Sequence, residues 1–145
     1  YLNLGIGTLA LRMKRHCESA LKVATYLKNS EKVAWVHYPD LESDDYNELA
    51  KKYLPKGSCG VLCFGIKGGR EQSVKFMDNL KLCTIATHVA DSQTCLLHPA
   101  SHTHRQLTDE QLREAGVNPD LIRLSIGLED VDDIIKDIEQ ALELI

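Results

Sequence analysis

The feature that most limits the possible folds is a regular alternation between segments with helical periodicity and short apolar segments. From Leu9 to Leu27 the apolar residues recur at helical spacing, which predicts a long amphipathic helix over about residues 8–29. Short runs rich in β-branched residues predict strands at 32–39 and 59–67. The chain reads in the order helix, strand, helix, strand, helix, strand, strand, helix, strand, helix. This order predicts an α/β fold with one sheet covered by helices, mainly on one face.

Local signals define the remaining elements. Residues 44–54 have a helical pattern, and Asp44 and Asp45 lie where carboxylates favour the positive start of a helix. The sequence TDEQ at 108–111 has the spacing of a capping box. The other predicted elements are a helix at 70–80, short strands at 83–86 and 94–97, a strand at 121–128 and a helix at 130–145.

The composition is that of a soluble globular domain, since 43% of the 145 residues are hydrophobic and 26% are charged. We expect residues 1–145 to form a single domain. The formal net charge of -4 argues against a nucleic-acid partner, because no excess of Lys and Arg remains to neutralise phosphates. No apolar run approaches the roughly 20 residues that span a bilayer, so no membrane partner is expected. The five scattered cysteines contain no CxxC pair, which predicts reduced thiols and a cytoplasmic location.

The start of the chain is unusual for a native N-terminus. Tyr1 is not a methionine, and the residues after it already belong to an apolar, helix-like segment. Native termini are usually polar and frayed. We therefore interpret the chain as a piece of a longer protein.

Three histidines lie close together, at positions 98, 102 and 104. Zinc sites usually combine short ligand spacings with a further ligand and a supporting carboxylate, and no HExxH or CxxC motif accompanies this cluster. We predict no metal site here. The expected role of His98, His102 and His104 is to hold an irregular loop through hydrogen bonds.

The candidate nucleophiles also lack a supporting context. Ser101 is not part of a GxSxG motif. Cys59 and Cys63 lie in an apolar strand, where burial raises the pKa of a thiol instead of lowering it. We predict inert packing for both cysteines and no catalytic residue in this chain.

Arg123 stands alone as a charge inside an apolar strand. Its neighbours Leu121, Ile122, Leu124 and Ile126 are all apolar, and no nearby carboxylate shares its face. Burying a guanidinium without a partner is costly. The residues leave two alternatives equally open: a distant structural acid, or an anionic ligand held by the planar fork of the guanidinium.

Two motifs carry a family resemblance. HPASHTH at 98–104 and LIRLSIGLED at 121–130 resemble the C-terminal domain of the Cys/Met metabolism family of fold-type-I PLP-dependent enzymes. TLALRMKRHCESALKVATYL at 8–27 is similar to the helix that leads into that domain, and the resemblance covers essentially the whole chain. It implies a small, mainly antiparallel sheet with helices largely on one face. It also implies that the PLP-binding domain lies outside residues 1–145.

The resemblance assigns roles to four residues of this sequence. It implies that Arg123 clamps the α-carboxylate of an amino-acid substrate, and that the backbone or side chain of His88 lies beside that carboxylate. The family usually has Ser or Asn at position 88, and glycine is frequent where Ala90 stands. Thr87 and Thr103 are predicted at the rim of the pocket.

Within the family, the segment at 84–104 is most similar to the O-acetylhomoserine sulfhydrylases. This implies a full-length, homotetrameric enzyme that uses pyridoxal 5'-phosphate to replace the acetate of O-acetylhomoserine by sulfide, giving homocysteine. The family's cofactor lysine lies in a Ser/Ala-x-Thr-Lys setting, and neither Lys67 nor Lys75 has that context. We therefore expect no cofactor-binding residue in this chain, and no activity from the chain alone.

Two other interpretations stay open. The chain is also compatible with the same domain of a cystathionine or methionine γ-lyase or γ-synthase. An interpretation from another class is a free-standing module that binds an amino acid without catalysis.

Overall fold

The computed structural model describes residues 1–145, which form six helices and one five-stranded sheet. The helices are α1 (Leu2–Gly7), α2 (Leu9–Lys28), α3 (Asn47–Tyr53), α4 (Gly69–Asp78), α5 (Asp109–Glu114) and α6 (Val131–Glu143). The strands are β1 (Val33–His37), β2 (Val61–Ile66), β3 (Thr84–Ile85), β4 (Cys95–Leu97) and β5 (Leu121–Ser125). The predicted alternation is confirmed, with α1 as an additional short helix before the long one.

The strands are arranged in the order β1-β2-β5-β4-β3, so that β5 is the central strand. It pairs antiparallel with β2 on one side and with β4 on the other, and β1 is antiparallel to β2. The short pair β3 and β4 is parallel. In this register Arg123 lies opposite Cys63 of β2 and Leu97 of β4. The predicted, mainly antiparallel sheet is therefore confirmed.

The two faces of the sheet differ in character. Ile122 and Leu124 of β5 are fully buried, together with Phe64 of β2, and they belong to one apolar cluster with residues of α2, α4 and α6. Because side chains alternate along a strand, Arg123 and Ser125 point to the opposite face, which we call the outer face. The helices of the core thus cover one face, as predicted.

The long helix α2 matches its predicted range to within one residue at each end. Ala20, Val23, Ala24 and Leu27 recur at helical spacing and are fully buried against the sheet. Burial of a side chain such as Leu27 stabilises the fold by about 1.5–3 kcal/mol. No helix of the structure combines the length and the apolar character needed to cross a membrane.

The helix predicted at 44–54 begins later than expected, at Asn47. The Asp44 carboxylate accepts the backbone N–H of Tyr38 at 2.9 Å and that of Tyr46 at 3.0 Å. Asp44 therefore stabilises the turns before the helix instead of its first turn. By contrast, the predicted capping box of α5 is present in full.

The buried carboxylate of Asp137 ties α6 to the segment that leads into β3. It accepts the backbone N–H groups of Lys81, Leu82 and Cys83 at 2.8–2.9 Å. Burial raises the pKa of this carboxyl group, but the three backbone donors lower it by more, so its pKa lies below the ordinary value. The charged form of Asp137 is therefore favoured in the folded state.

We predict that Asp137→Asn lowers the free energy of unfolding by about 1–3 kcal/mol at pH 7, because an amide presents one acceptor oxygen instead of two. Urea titration followed by circular dichroism measures the change. The carboxylate contributes its full stability above its unfolded pKa of about 3.9 and loses it as pH falls through the lower folded pKa. The difference between the two proteins should therefore shrink below about pH 4.

The matched control is Asp133→Asn on the same helix, where the carboxylate is 62% exposed and pairs only with Lys136. We expect this control to stay within about 0.5 kcal/mol of the wild type. Equal losses from the two substitutions would contradict the role given to Asp137.

Candidate functional site

Arg123 occupies the middle of the outer face. It lies at the centre of β5, half-buried between its cross-strand neighbours Cys63 and Leu97. The strand alternation that buries Ile122 and Leu124 requires the guanidinium to leave the core on this side. Arg123 is therefore held by a rigid, fully paired strand.

The guanidinium of Arg123 contacts backbone carbonyls but no acid. Its Nη2 donates to the carbonyl of Thr87 at 2.8 Å and, more weakly, to that of His88 at 3.5 Å. Its Nε is buried and has no partner. The ion pairs of the chain do not include Arg123. Of the two alternatives left open by the sequence, pairing of Arg123 with a structural acid therefore does not occur within this chain.

This arrangement leaves a positive charge that the chain itself does not neutralise. Carbonyl dipoles orient Nη2 of the fork, and Nε is buried without a partner. A carboxylate accepts two parallel N–H bonds from such a fork, which gives both strength and a fixed orientation. The site is thus suited to a small anion of planar, two-oxygen geometry.

The structure places Thr87 and His88 beside Arg123 through their backbones. Both residues are exposed, and it is their carbonyl groups, not their side chains, that contact the guanidinium. Thr103 is exposed in a different loop, where its hydroxyl bonds the Nδ1 of His104 at 2.9 Å. The predicted positions of Thr87 and Thr103 at the rim of a substrate pocket stay predictions.

The chain forms no enclosed cavity around Arg123. None of the five cavities of the chain is lined by Arg123. One of these cavities runs along α2 instead, between Arg15, Glu18 and Lys22. Binding sites for small molecules usually bury most of the ligand, so Arg123 supplies one wall of a site and this chain does not enclose it.

Cys63 is the nearest thiol to this charge along the sheet. Burial raises its pKa, although the charge of Arg123 acts in the opposite direction. A thiol with a raised pKa is a poor nucleophile. This agrees with the predicted packing role of Cys63.

The histidine-rich loop is held by one buried ring. His98 is fully buried; its Nε2 donates to the carbonyl of Pro119 at 2.8 Å, and its Nδ1 accepts from the hydroxyl of Ser101 at 2.7 Å. Both ring nitrogens are therefore used within the fold, as expected for a loop-holding histidine. The structure brings no three metal-ligating side chains together.

One residue next to this site, Ser125, was not predicted from the sequence. It lies two positions after Arg123 on the same face of β5, and it is 2% exposed. Its hydroxyl accepts the backbone N–H of Ala90 at 3.1 Å. The sequence did contain a signal for it: Arg123 and Ser125 are two positions apart in a strand, and such residues point to the same face.

The comparisons with known proteins agree on one family. The model of the family described as "Cys/Met metabolism PLP-dependent enzyme" matches residues 1–143. The homocysteine synthase of Schizosaccharomyces pombe is 51% identical over 97% of this chain and 33% of its own length. The O-acetyl-L-homoserine sulfhydrylase of Leptospira meyeri is 46% identical over 96% of this chain and 32% of its own length.

Two further matches broaden the comparison. An L-methionine gamma-lyase of Fusobacterium nucleatum is 43% identical over all of this chain and 36% of its own length. The crystal structure of a Campylobacter jejuni protein, described as a candidate O-acetylhomoserine (thiol)-lyase with N'-pyridoxyl-lysine-5'-monophosphate, superposes with a TM-score of 0.89. It is 41% identical and covers 97% of this chain and 33% of that one. The chain therefore spans about a third of the length of the curated relatives.

The lysines of this chain do not form a covalent site for the cofactor. A covalent PLP site requires a lysine that reaches an enclosed pocket. Every lysine of this chain is exposed. Lys75, for example, lies on the solvent side of α4 and pairs with Glu71 at 3.2 Å. We assign none of these lysines to PLP.

We predict that the stability of the fold falls as pH drops below about 6.5, the ordinary pKa of histidine, because of His98. Burial lowers the pKa of this ring, and this outweighs the raising effect of its hydrogen bond to Pro119. Since the folded pKa is depressed, the unfolded chain takes up the proton first. The contribution of neutral His98 is thus complete above the unfolded pKa and is lost as pH falls from there through the folded pKa.

Urea titrations of the wild type and His98→Gln between pH 5 and 8 check this prediction. The glutamine amide can still donate towards Pro119 but does not titrate, so the pH dependence should weaken in this variant. His88→Gln, which changes an exposed histidine whose side chain takes part in no ion pair, should keep the wild-type dependence. A wild-type slope that survives in His98→Gln would rule out His98 as its source.

Proposed function

Because the chain belongs to the Cys/Met metabolism family of PLP-dependent enzymes, we propose that it is the substrate-binding part of an O-acetylhomoserine sulfhydrylase. In the full-length protein, sulfide replaces the acetate of O-acetylhomoserine and homocysteine is formed. Two relatives that cover almost the whole chain, a homocysteine synthase and an O-acetyl-L-homoserine sulfhydrylase, support this choice of substrate.

The observation that carries the proposal is the uncompensated guanidinium of Arg123. It contacts carbonyl oxygens and no acid, and its Nε is left without a partner. An amino-acid substrate brings a carboxylate that satisfies this fork. We assign Arg123 to the α-carboxylate, with the backbone of His88 and Thr87 next to it. Thr103 is assigned to the rim of the pocket on the strength of the family resemblance alone.

In this proposal Arg123 contributes to the reaction by orienting the substrate. PLP supplies the electron-withdrawing chemistry when it is bound, and the protein supplies orientation and charge. A bidentate grip on the carboxylate of the substrate removes rotation about the bond that joins it to the α-carbon. The reacting carbons are then presented in one orientation, which is the main contribution that a binding residue makes to rate.

The remaining walls of the site belong to other parts of the full-length protein in this proposal. Arg123 lines no cavity of this chain, and the chain spans about a third of the relatives' length. We propose that residues 1–145 are a C-terminal domain that closes over the cofactor-binding part, and that the complete enzyme is a homotetramer. On this proposal the isolated chain is inactive.

A second candidate function has its own support. The L-methionine gamma-lyase relative matches the entire chain at 43% identity. A lyase of this kind would use the same carboxylate clamp, because its substrate is also an α-amino acid. The two candidates differ in the leaving group and in the need for sulfide.

Steady-state assays of the full-length protein distinguish these candidates. A sulfhydrylase converts O-acetylhomoserine only when sulfide is present, and releases homocysteine. A γ-lyase consumes methionine or cystathionine without sulfide. Turnover of methionine at a higher kcat/KM than O-acetylhomoserine would overturn the first proposal in favour of the second.

We predict that Arg123→Ala in the full-length protein raises the KM for O-acetylhomoserine roughly 10- to 100-fold, as expected for the loss of about 1.5–3 kcal/mol of charge-assisted binding. Arg123→Lys should recover only part of this loss, because an ammonium group does not form the planar two-bond grip. Initial-rate measurements with saturating sulfide give both values.

Arg113→Ala is the matched control, because Arg113 is exposed on α5 and takes part in no ion pair. Its KM should stay within about twofold of the wild type. An unchanged KM in Arg123→Ala would refute the assignment of the carboxylate site.

A further inference from the structure

The loop at 86–94 connects two adjacent parallel strands and passes over the outer face of β5. Its first part provides the carbonyls of Thr87 and His88 that contact Arg123. Its last residue, Thr94, is fixed separately, because its N–H and hydroxyl both donate to the carboxylate of Glu129, at 2.6 and 2.9 Å. The contacts that fix the first part of the loop therefore determine the orientation of the Arg123 guanidinium.

Ala90 is the point of this loop where the backbone is under most constraint. It is the only residue other than glycine with a positive φ, at 57°. An alanine is disfavoured in this left-handed region because its Cβ approaches the following carbonyl oxygen. Such a conformation persists when surrounding contacts impose it.

Ser125 contacts this left-handed residue directly. The Ser125 hydroxyl accepts the N–H of Ala90 at 3.1 Å, and the serine is 2% exposed. Ser125 and Arg123 share the outer face of β5. One rigid strand therefore holds the loop at two points, through Arg123 at its carbonyls and through Ser125 at its left-handed residue.

We propose that Ser125 is a positioning residue for the carboxylate site. By holding Ala90 in the left-handed conformation, it keeps the carbonyls of Thr87 and His88 in place, and these carbonyls in turn orient the Arg123 guanidinium. The inference rests on the proposed function of Arg123, but the loop itself can be tested without it. Ser125 touches neither substrate nor cofactor in this scheme.

The test is a double-mutant cycle between Ser125→Ala and Ala90→Gly in the full-length enzyme. Ser125→Ala should raise the KM for O-acetylhomoserine about 3- to 10-fold, the effect of one lost hydrogen bond, with kcat changed less than about twofold. Glycine reaches a positive φ without a steric penalty, so the turn no longer depends on the hydroxyl. Adding Ala90→Gly to Ser125→Ala should therefore bring KM back to within about twofold of the wild type.

Hydrogen exchange gives a readout that does not depend on activity. In Ser125→Ala, the peptide covering residues 86–94 should exchange about fivefold faster or more, because the Ala90 N–H loses its acceptor. Ser92→Ala is the matched control, since its exposed hydroxyl bonds only Asp91. It should leave both KM and exchange unchanged.

The outcomes separate the two proposals. If Arg123→Ala raises KM but Ser125→Ala does not, the positioning role of Ser125 is overturned and the carboxylate site stands. An equal KM increase from Ser125→Ala with and without Ala90→Gly also overturns it, because the hydroxyl would then act through something other than this turn. If Ser125→Ala changes exchange as expected while Arg123→Ala leaves KM unchanged, the loop contact stands and the proposed function fails.

Discussion

The alternation of side chains along β5 places the apolar core on one face of the sheet and Arg123 on the other. Ile122 and Leu124 enter the core, and the residues between and after them leave it. A register shift by one residue would carry the guanidinium of Arg123 into an apolar interior, at a cost of several kcal/mol. The charge therefore helps to fix the pairing of β5 with β2 and β4, in addition to the apolar residues that fill the core.

Two arginines of the chain, Arg70 and Arg123, differ in whether the fold compensates their charge. Arg70 contacts the carbonyl of Ala100 and forms an ion pair with Asp109, so its charge is compensated within the fold. Arg123 is oriented by carbonyl groups alone and keeps its charge. Neutral acceptors can set the direction of a guanidinium without neutralising it. This difference is what makes Arg123, and not Arg70, the basis of a proposed ligand site.

Irregular segments are held by buried polar groups in this fold. Asp137 holds the approach to β3, His98 holds the loop after β4, and Ser125 holds the turn at Ala90. Each of these groups is buried, and each has at least one partner on the backbone of a distant segment. Buried polar groups satisfied in this way fix one conformation of a loop, because any other conformation leaves them unpaired. The position of the loop beside Arg123 thus follows from the core elements that carry these groups.

The sequence predicts the elements and their order, because helical periodicity, β-branched runs and the capping box are local properties. It also identified Arg123 as unusual, since an isolated charge in an apolar strand is visible without a structure. It did not determine whether an acid meets Arg123, where the helix after Asp44 begins, or that Ser125 holds Ala90. The late start of that helix follows from the contacts of the Asp44 carboxylate with the N–H groups of Tyr38 and Tyr46. The surroundings of Arg123 and the contact of Ser125 with Ala90 depend on residues tens of positions apart, such as the 35 positions that separate Ala90 from Ser125. Only the packing of the sheet brings such residues together, and their spacing along the sequence does not predict that they lie close in space.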